Sequence, residues 1–423
     1  MATGRPLEAT AVAGERPSPA FGRETFSAFQ SRPFRYLWLS TFSYNLNQGM
    51  QRFAFVWLAL RLSTDSGAAG AVAFALGIPV FFLSIPCGIL ADRFDRRALL
   101  FASQAIASVV TLAVAVLLWT DAASLWAVMA LAAGVGATVA LGQPVRTAVL
   151  PTVVDRSRLM NGIILMSMGQ NTAQIIGPAL GGAAIAIFGI GAAFAVQSAI
   201  YAVGLVALIP LRLPATASNQ ARNVARELRE GFGFIRREPG VRVLIVLVVA
   251  SSLIVIGPVT ALVPKIAKEE LRTGALGASL LFAGQGVASL ATSMLLAARS
   301  NMQRRGRLFL FGLMGGGLVF IGIGLSPAYW LTAALMACFG VTGALYMNLN
   351  QALIQSHTPP ELMGRVMGIH TLGFMGLGPM GALVAGPSAD VIGAPATVAI
   401  AGSLTFLLAL GTFVVQPVLR RMD

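Results

Sequence analysis

The chain has 423 residues, 56% of them hydrophobic and 11% charged, where an average soluble domain has about 25% charged residues. With a mean hydropathy of +0.78 it has too little polar surface for water, and the bilayer is its natural solvent. The net charge of +14 comes without the basic helix or aromatic-rich sheet of a nucleic-acid binder, and Cys87, Cys338, His357 and His370 are too few and too scattered for a disulfide framework or a metal cage.

Residues 1–34 are polar and rich in Pro, Arg and Gly, and read as a flexible tail rather than a secretory signal. A membrane-spanning helix needs about 20 largely apolar residues. Runs of that kind fall at 37–60, 70–90, 98–118, 125–148, 162–188 and 192–211. A polar break follows, and the runs resume at 241–263, 276–297, 308–325, 330–353, 368–388 and 396–416. The fold class predicted is therefore an all-α membrane protein. Twelve transmembrane helices form two pseudo-symmetric six-helix bundles, 35–212 and 241–423, joined by a cytoplasmic linker at 213–240.

In the first span Thr41, Asn45, Gln48 and Arg52 step by four, three and four residues and share one helical face. An arginine at bilayer depth costs roughly 2.5–3.5 kcal/mol, so Arg52 is expected to face a wet interior rather than lipid. Snorkelling to the outer surface is the alternative. Ser167, Gln170, Asn171 and Gln174 make a second polar face in the fifth span, and Gln285, Ser289 and Thr292 a third in the eighth. Asn348, Asn350 and Gln351 lie near the inner end of the tenth. The substrate-binding candidates are Asn45, Gln48, Arg52, Gln170, Asn171, Gln174 and Gln285, with Phe81, Phe82 and other aromatics for an apolar portion. No Asp or Glu falls well inside a predicted span, leaving Asp92, Asp65, Asp390 and His370 as titratable candidates. A cavity lined this way is polar and positive, and suits a neutral or anionic amphipathic solute.

In the linker, Val224, Leu228, Phe232 and Ile235 recur about once per helical turn, with arginines mostly elsewhere. That pattern predicts an amphipathic helix, lying on the inner leaflet or solvated as a connector. Arginines crowd the tail, the 92–97 turn, the 155–158 turn, the linker, the 299–307 turn and the C-terminus. If every span crosses, these share one side, which the positive-inside rule makes cytoplasmic, together with both termini. The other side holds Arg61, Lys265, Lys268 and Arg272, partly offset by Asp65, Glu269 and Glu270. The halves echo each other: "DRSRLMNGI" (155–163) and "ELMGRVMGI" (361–369) open equivalent spans, as parallel repeats in a transporter would.

"GILADRFDRR" (88–97) resembles the loop motif of the major facilitator superfamily, Gly-x-x-x-Asp-Arg-x-x-Arg-Arg, between the second and third spans. "MQRFAFVWLAL", "NGIILMSMGQNTAQIIGPALGG" and "GRVMGIHTLGFMGLGPMGALVAG" are similar to the branch with enterobactin exporters and macrolide efflux proteins. By this resemblance Gly88, Asp92, Arg93, Arg96 and Arg97 form a cytoplasmic gate, with Asp92 set against the start of the eleventh span near Gly368. The arginines would pair with Asp92, Asp95 or Asp155. Gly177 and Pro178 belong to a stretch that resembles the antiporter motif of the fifth span, with Ala173 in place of its leading glycine. Ala130 stands where many drug/proton antiporters carry an arginine.

The resemblance implies a secondary active transporter of the bacterial inner membrane. It would export a small siderophore-like or drug-like molecule by alternating access, as a proton-coupled antiporter and a monomer. The partners expected are the solute, protons and the lipid bilayer, with no nucleic acid, cofactor or metal, and no enzymatic activity. An importer on the same fold and a non-transporting sensor or scaffold are the alternatives.

Overall fold

The computed structural model of the chain describes residues 27–155, 158–213, 224–299 and 304–422. At 85, 88–89, 91–93, 224–225, 227–228 and 421 it describes the backbone alone. Most of the expected N-terminal tail thus lies outside the described residues, as do the side chains of Asp92 and Arg93, and Gly88 is described by its backbone alone.

The first half consists of α1 (Arg32–Leu62), α2 (Ser66–Arg93), α3 (Arg96–Trp119), α4 (Leu125–Val153), α5 (Leu159–Phe188) and α6 (Ile190–Leu208). A shorter helix, α7 (Val224–Arg237), leads into the second half. There α8 (Pro239–Ser251) and α9 (Gly257–Glu269) form one long span, followed by α10 (Ala275–Ala298), α11 (Arg305–Leu325), α12 (Tyr329–Ser356), α13 (Met363–Ile392) and α14 (Ala394–Val415). The short α15 (Pro417–Arg421) closes the described chain. Each of the twelve spans expected from hydropathy coincides with a long helix, counting α8 and α9 together. Eleven of these are long and apolar enough to cross a membrane. The exception is α1, whose 31 residues would reach across but carry the polar stripe described above.

Local chemistry sets the helix ends. Ser31 caps α1, accepting from the Phe34 N–H at 3.5 Å, and Ser124 caps α4, accepting from Ala127 N–H at 3.3 Å. Asp95 accounts for part of the charged turn after α2: its carboxylate accepts from the N–H groups of Arg97 and Ala98, both at 3.2 Å, and starts α3. The two halves repeat one device. A single glycine joins α5 to α6 (Gly189, φ +81°) and α13 to α14 (Gly393, φ +87°). A side chain would be strained at either φ.

Between α8 and α9 the chain makes one wide turn, Ser252–Ile256. The cause is Gly257–Pro258: proline lacks the N–H that would close a regular turn, and its ring clashes with the carbonyl four residues earlier. The Ser252 hydroxyl donates to the Phe374 carbonyl at 2.6 Å and ties this turn to α13.

Each half packs around two apolar cores. In the first, Phe55, Val72, Val114 and Phe194 lie toward one face, and Phe34, Leu100, Val149 and Leu208 toward the other. The second half divides likewise, around Leu262 and Phe320 and around Leu244 and Phe309. The halves meet along α2 with α13 and along α5 with α10, and α9 touches the α1–α2 hairpin.

The linker helix α7 docks on α13. Glu230 accepts from Arg226 at 2.8 Å and pairs with Arg365, while Ile235 is buried against Val241 and its neighbours. The bond from Arg226, with Arg365 beside it, holds the Glu230 carboxyl below the usual carboxylate range. Arg226 is on α7 itself, so only the share from Arg365 bears on docking; that share is complete above the ordinary Glu value of about 4.3 and is lost as pH falls through the lowered one. Glu230→Gln is expected to raise trypsin cleavage at Arg229 and Arg236 a few-fold at pH 7, the scale of an exposed ion pair. Unchanged cleavage would mean that Ile235 and its apolar neighbours hold α7 alone.

Candidate functional site

A cavity of about 450 Å³ lies between the halves. α1 contributes Gln48, Arg52 and Phe53; α5 contributes Asn171, Gln174 and Pro178. From the second half come Thr260, Phe282, Gln285, Ser289, Phe339, Asn348 and Phe374. The wide turn places Ile256 in the same wall, which is where an irregular turn in a helix often serves a site. The volume is that of a pocket for a small organic molecule.

The stripe on α1 divides. Gln48 and Arg52 line the cavity, and Arg52 is exposed within it. Asn45 is buried one turn away, accepting from the Gln143 side chain at 3.4 Å, and Thr41 is buried beyond it. On α5, Asn171 and Gln174 face the cavity, whereas Gln170 is half-buried and outside the lining. Gln285 lines it from α10. Five of the seven substrate-binding candidates, Gln48, Arg52, Asn171, Gln174 and Gln285, are therefore brought together, and Asn45 and Gln170 are not.

No Asp or Glu is among the described lining residues. The ion pairs among the described residues engage Glu230, Glu269 and Asp390, and none involves Arg52. The cavity is thus positive, with an aromatic side. The two phenylalanines named from the sequence are not part of that side. Phe82 is 64% exposed on the outer surface of α2, and Phe81 stands against Gly376 of α13 in a different cavity. The apolar wall comes instead from Phe53, Phe282, Phe339 and Phe374, with Phe53 edge-on to Phe282 at 6.4 Å. Helical register alone does not say which of several aromatic residues turns inward.

The structure adds a residue that the sequence reading passed over. Arg146 of α4 is 3% exposed, with its guanidinium 3.7 Å from the centre of the Tyr44 ring. It donates to Gln104 Oε1 at 2.7 Å. Gln104 in turn donates to Ser43 Oγ at 3.1 Å and to the Tyr201 carbonyl at 3.2 Å, and Tyr201 donates to Gln51 at 3.0 Å. This polar layer stitches α1, α3, α4 and α6 between the two apolar cores. The signal was available: an ionisable residue inside a predicted span is a functional candidate by the rule applied to Arg52. His370 has a quieter place, buried with Nε2 3.1 Å from Asn350 Oδ1.

The gating candidates fall into two groups. On α5, Pro178 lines the cavity and Gly177 meets Gly49 of α1 backbone to backbone. A Cβ on Gly177 would lie 2.8 Å from Gly49 Cα, so a side chain there would force the helices apart. In the charged turn, Arg96 donates to the Ala148 carbonyl at 3.2 Å and Arg97 to the Ile209 carbonyl at 2.6 Å. Both find backbone carbonyls rather than the carboxylates expected: Ile209 caps the end of α6, and Ala148 lies within α4, five residues before its end. The contact expected between Asp92 and α13 falls on a side chain outside the description. Around Gly364 and Gly368 there is open space. A second cavity of about 810 Å³ opens there, between α2 and α4 on one side and α13 on the other, lined by Gln143, Thr147, Glu361 and Arg365. At the opposite face the halves are in contact: Gly386 lies against Ser66 and Gly67, and Gly182 against Ser279.

A family model described as a transmembrane secretion effector, of the major facilitator type, matches residues 23–423. An uncharacterized MFS-type transporter, YfiS, of Bacillus subtilis is 27% identical over 312 residues, covering 70% of this chain and 71% of that protein. The enterobactin exporter EntS of Citrobacter koseri is 23% identical over 342 residues, 80% of each chain. In fold, the chain is similar to the crystal structure of the nucleoside transporter NupG. The TM-score is 0.71 at 13% identity, over 90% of this chain and 98% of that one.

Proposed function

The chain belongs to the transmembrane secretion effector family of the major facilitator superfamily, and from that premise we propose that it exports a small amphipathic molecule, neutral or anionic, from the bacterial cytoplasm. The observation that carries the choice of solute is the cavity lining. Among the described residues it has one arginine, several amides and hydroxyls, four phenylalanines and no carboxylate. A buried cationic solute would find no counter-charge there, and an unpaired charge in a shielded site is costly. An anion would meet Arg52, with the amides of Gln48, Asn171, Gln174 and Gln285 to orient it and the phenylalanine wall for its apolar part.

Export rather than import is supported by the likeness to EntS, since the fold alone does not set direction. The arginine-bearing face, with Arg96, Arg97, Arg236, Arg307 and Arg420, is the cytoplasmic one on the positive-inside rule. The solute then enters through the opening between α4 and α13, binds between the halves, and leaves when the opposite face parts. Coupling to protons drives the step uphill. Asp92 and its neighbours close the cytoplasmic side in the other half of the cycle, against the start of α13.

Proteoliposomes test this with three fluorescent amphiphiles of similar size, one anionic, one neutral and one cationic. Proton-gradient-driven transport of the anionic and neutral compounds is expected at rates at least about tenfold above the cationic one, a difference of 1.4 kcal/mol. Transport of the cation as fast as the anion would overturn the solute assignment, and transport indifferent to a collapsed gradient would overturn proton coupling.

A further inference from the structure

We propose that Asp390, Lys265 and Lys268 are the outer gate of the transport cycle, a polar clamp by which the second half grips the end of α1 and the start of α2 at the turn between them. The reading of the chain as an alternating-access transporter underlies this. Asp390, near the end of α13, accepts from the Ser66 N–H at 2.6 Å and the Gly67 N–H at 2.8 Å. These are the first N–H groups of α2, which have no partner in their own helix and sit at its positive end. Asp65, in the capping position of α2, makes no capping bond with its side chain. The cap comes instead from the other half of the molecule, 324 residues away in sequence.

The cationic arm is complementary. Lys265 donates to the Thr64 carbonyl at 2.9 Å, and Lys268 donates to the Leu60 carbonyl. Leu60 is at the negative end of α1, where a cation is favoured. Lys265 is 8% exposed and stands 3.8 Å from Asp390 and 3.6 Å from Glu269, so it joins the two arms. Anion meets helix start and cation meets helix end, both across the boundary between the halves. This gives a reason for two of the basic residues on a face where the positive-inside rule depletes them.

The geometry also mirrors the gate expected at the cytoplasmic side. α2 and α13 pack side by side, with an aspartate near the last turn of each, Asp92 and Asp390. One is expected to cap α13 when the cytoplasmic side closes, and the other caps α2 while the outer side is closed. Breaking the outer clamp separates charged groups from helix ends without touching the cavity, which leaves solute binding intact and changes how often the outer side opens.

A single reporter cysteine, Ser289→Cys in the cavity wall, tests the gate in a background carrying Cys87→Ala and Cys338→Ala. A membrane-impermeant maleimide is applied to right-side-out and to inverted vesicles. Without further change, labelling is expected to be fast in inverted vesicles and slow from outside. With Asp390→Asn, or with Lys265→Met and Lys268→Met together, labelling from outside is expected to rise at least about tenfold, since bonds to a charged group are lost. Labelling in inverted vesicles should fall in the same variants, which a merely loosened fold would not produce. An unchanged outside rate in either variant overturns the proposal, as does a rise from both sides together. The readout needs no substrate. A shift in labelling with no transport of any compound would leave the gate standing and remove the exporter reading.

Discussion

Replacing Arg52 by alanine is expected to slow transport of an anionic solute about 10- to 100-fold, the worth of a hydrogen bond to a charged group in a shielded site. The protein should still reach the membrane with its thermal midpoint unchanged, because Arg52 stands exposed in the cavity and anchors no other helix by an ion pair. Arg52→Lys should recover only part of the rate, since it keeps the charge but loses the planar fork of donors. A neutral solute should lose less than an anion in both variants. An arginine that merely anchored the helix at the outer surface would be replaced by lysine without loss, whatever the solute. Near-wild-type rates for both solutes in both variants would take Arg52 out of the site.

The second large effect concerns Arg146, and it is one of stability. An arginine at bilayer depth costs roughly 2.5–3.5 kcal/mol. Its place over the Tyr44 ring returns about 2 kcal/mol when shielded from water, and its bond to Gln104 returns about 1.5–3 kcal/mol. Gln104→Leu leaves the guanidinium with the ring alone and is expected to destabilise the protein by about 3 kcal/mol, as removing one partner of a buried charge does. Arg146→Met removes the charge together with its need for a partner, and should cost less than about 1 kcal/mol. The double variant should therefore be more stable than Gln104→Leu alone, a coupling that thermal unfolding of the four proteins in detergent measures directly. A double variant no better than Gln104→Leu would show that Gln104 acts through Ser43 and Tyr201 instead.

Much of the fold was legible because the bilayer imposes a simple rule. Some 20 apolar residues make a span, and the described helices follow the runs in the sequence from Arg32 to Val415. The expected span of 241–263 hid its wide turn, although Gly257–Pro258 marked the place. The polar stripe on α1 was legible for the same reason as the spans: four polar side chains at helical spacing in an apolar helix have to face something wet. Half of that stripe lines the cavity and half is buried, with Asn45 against Gln143 of α4, a division that depends on how α1 is turned and tilted against α4 and α5.

The sequence by itself determined what each segment could be: which runs cross the membrane, which turns hold charge, and which helix carries polar atoms at bilayer depth. Those properties are local, set by hydropathy and by a period of 3.6 residues. Tertiary structure decided which of these groups meet. It selected Phe53, Phe282, Phe339 and Phe374 rather than Phe82 for the apolar wall. It set Arg146 over Tyr44, gave the arginines of the 96–97 turn to backbone carbonyls of α4 and of the end of α6, and brought Asp390 to the start of α2. Each of these contacts joins residues far apart in the chain, and its partner is fixed by the rotation and depth of two packed helices, which no local pattern encodes.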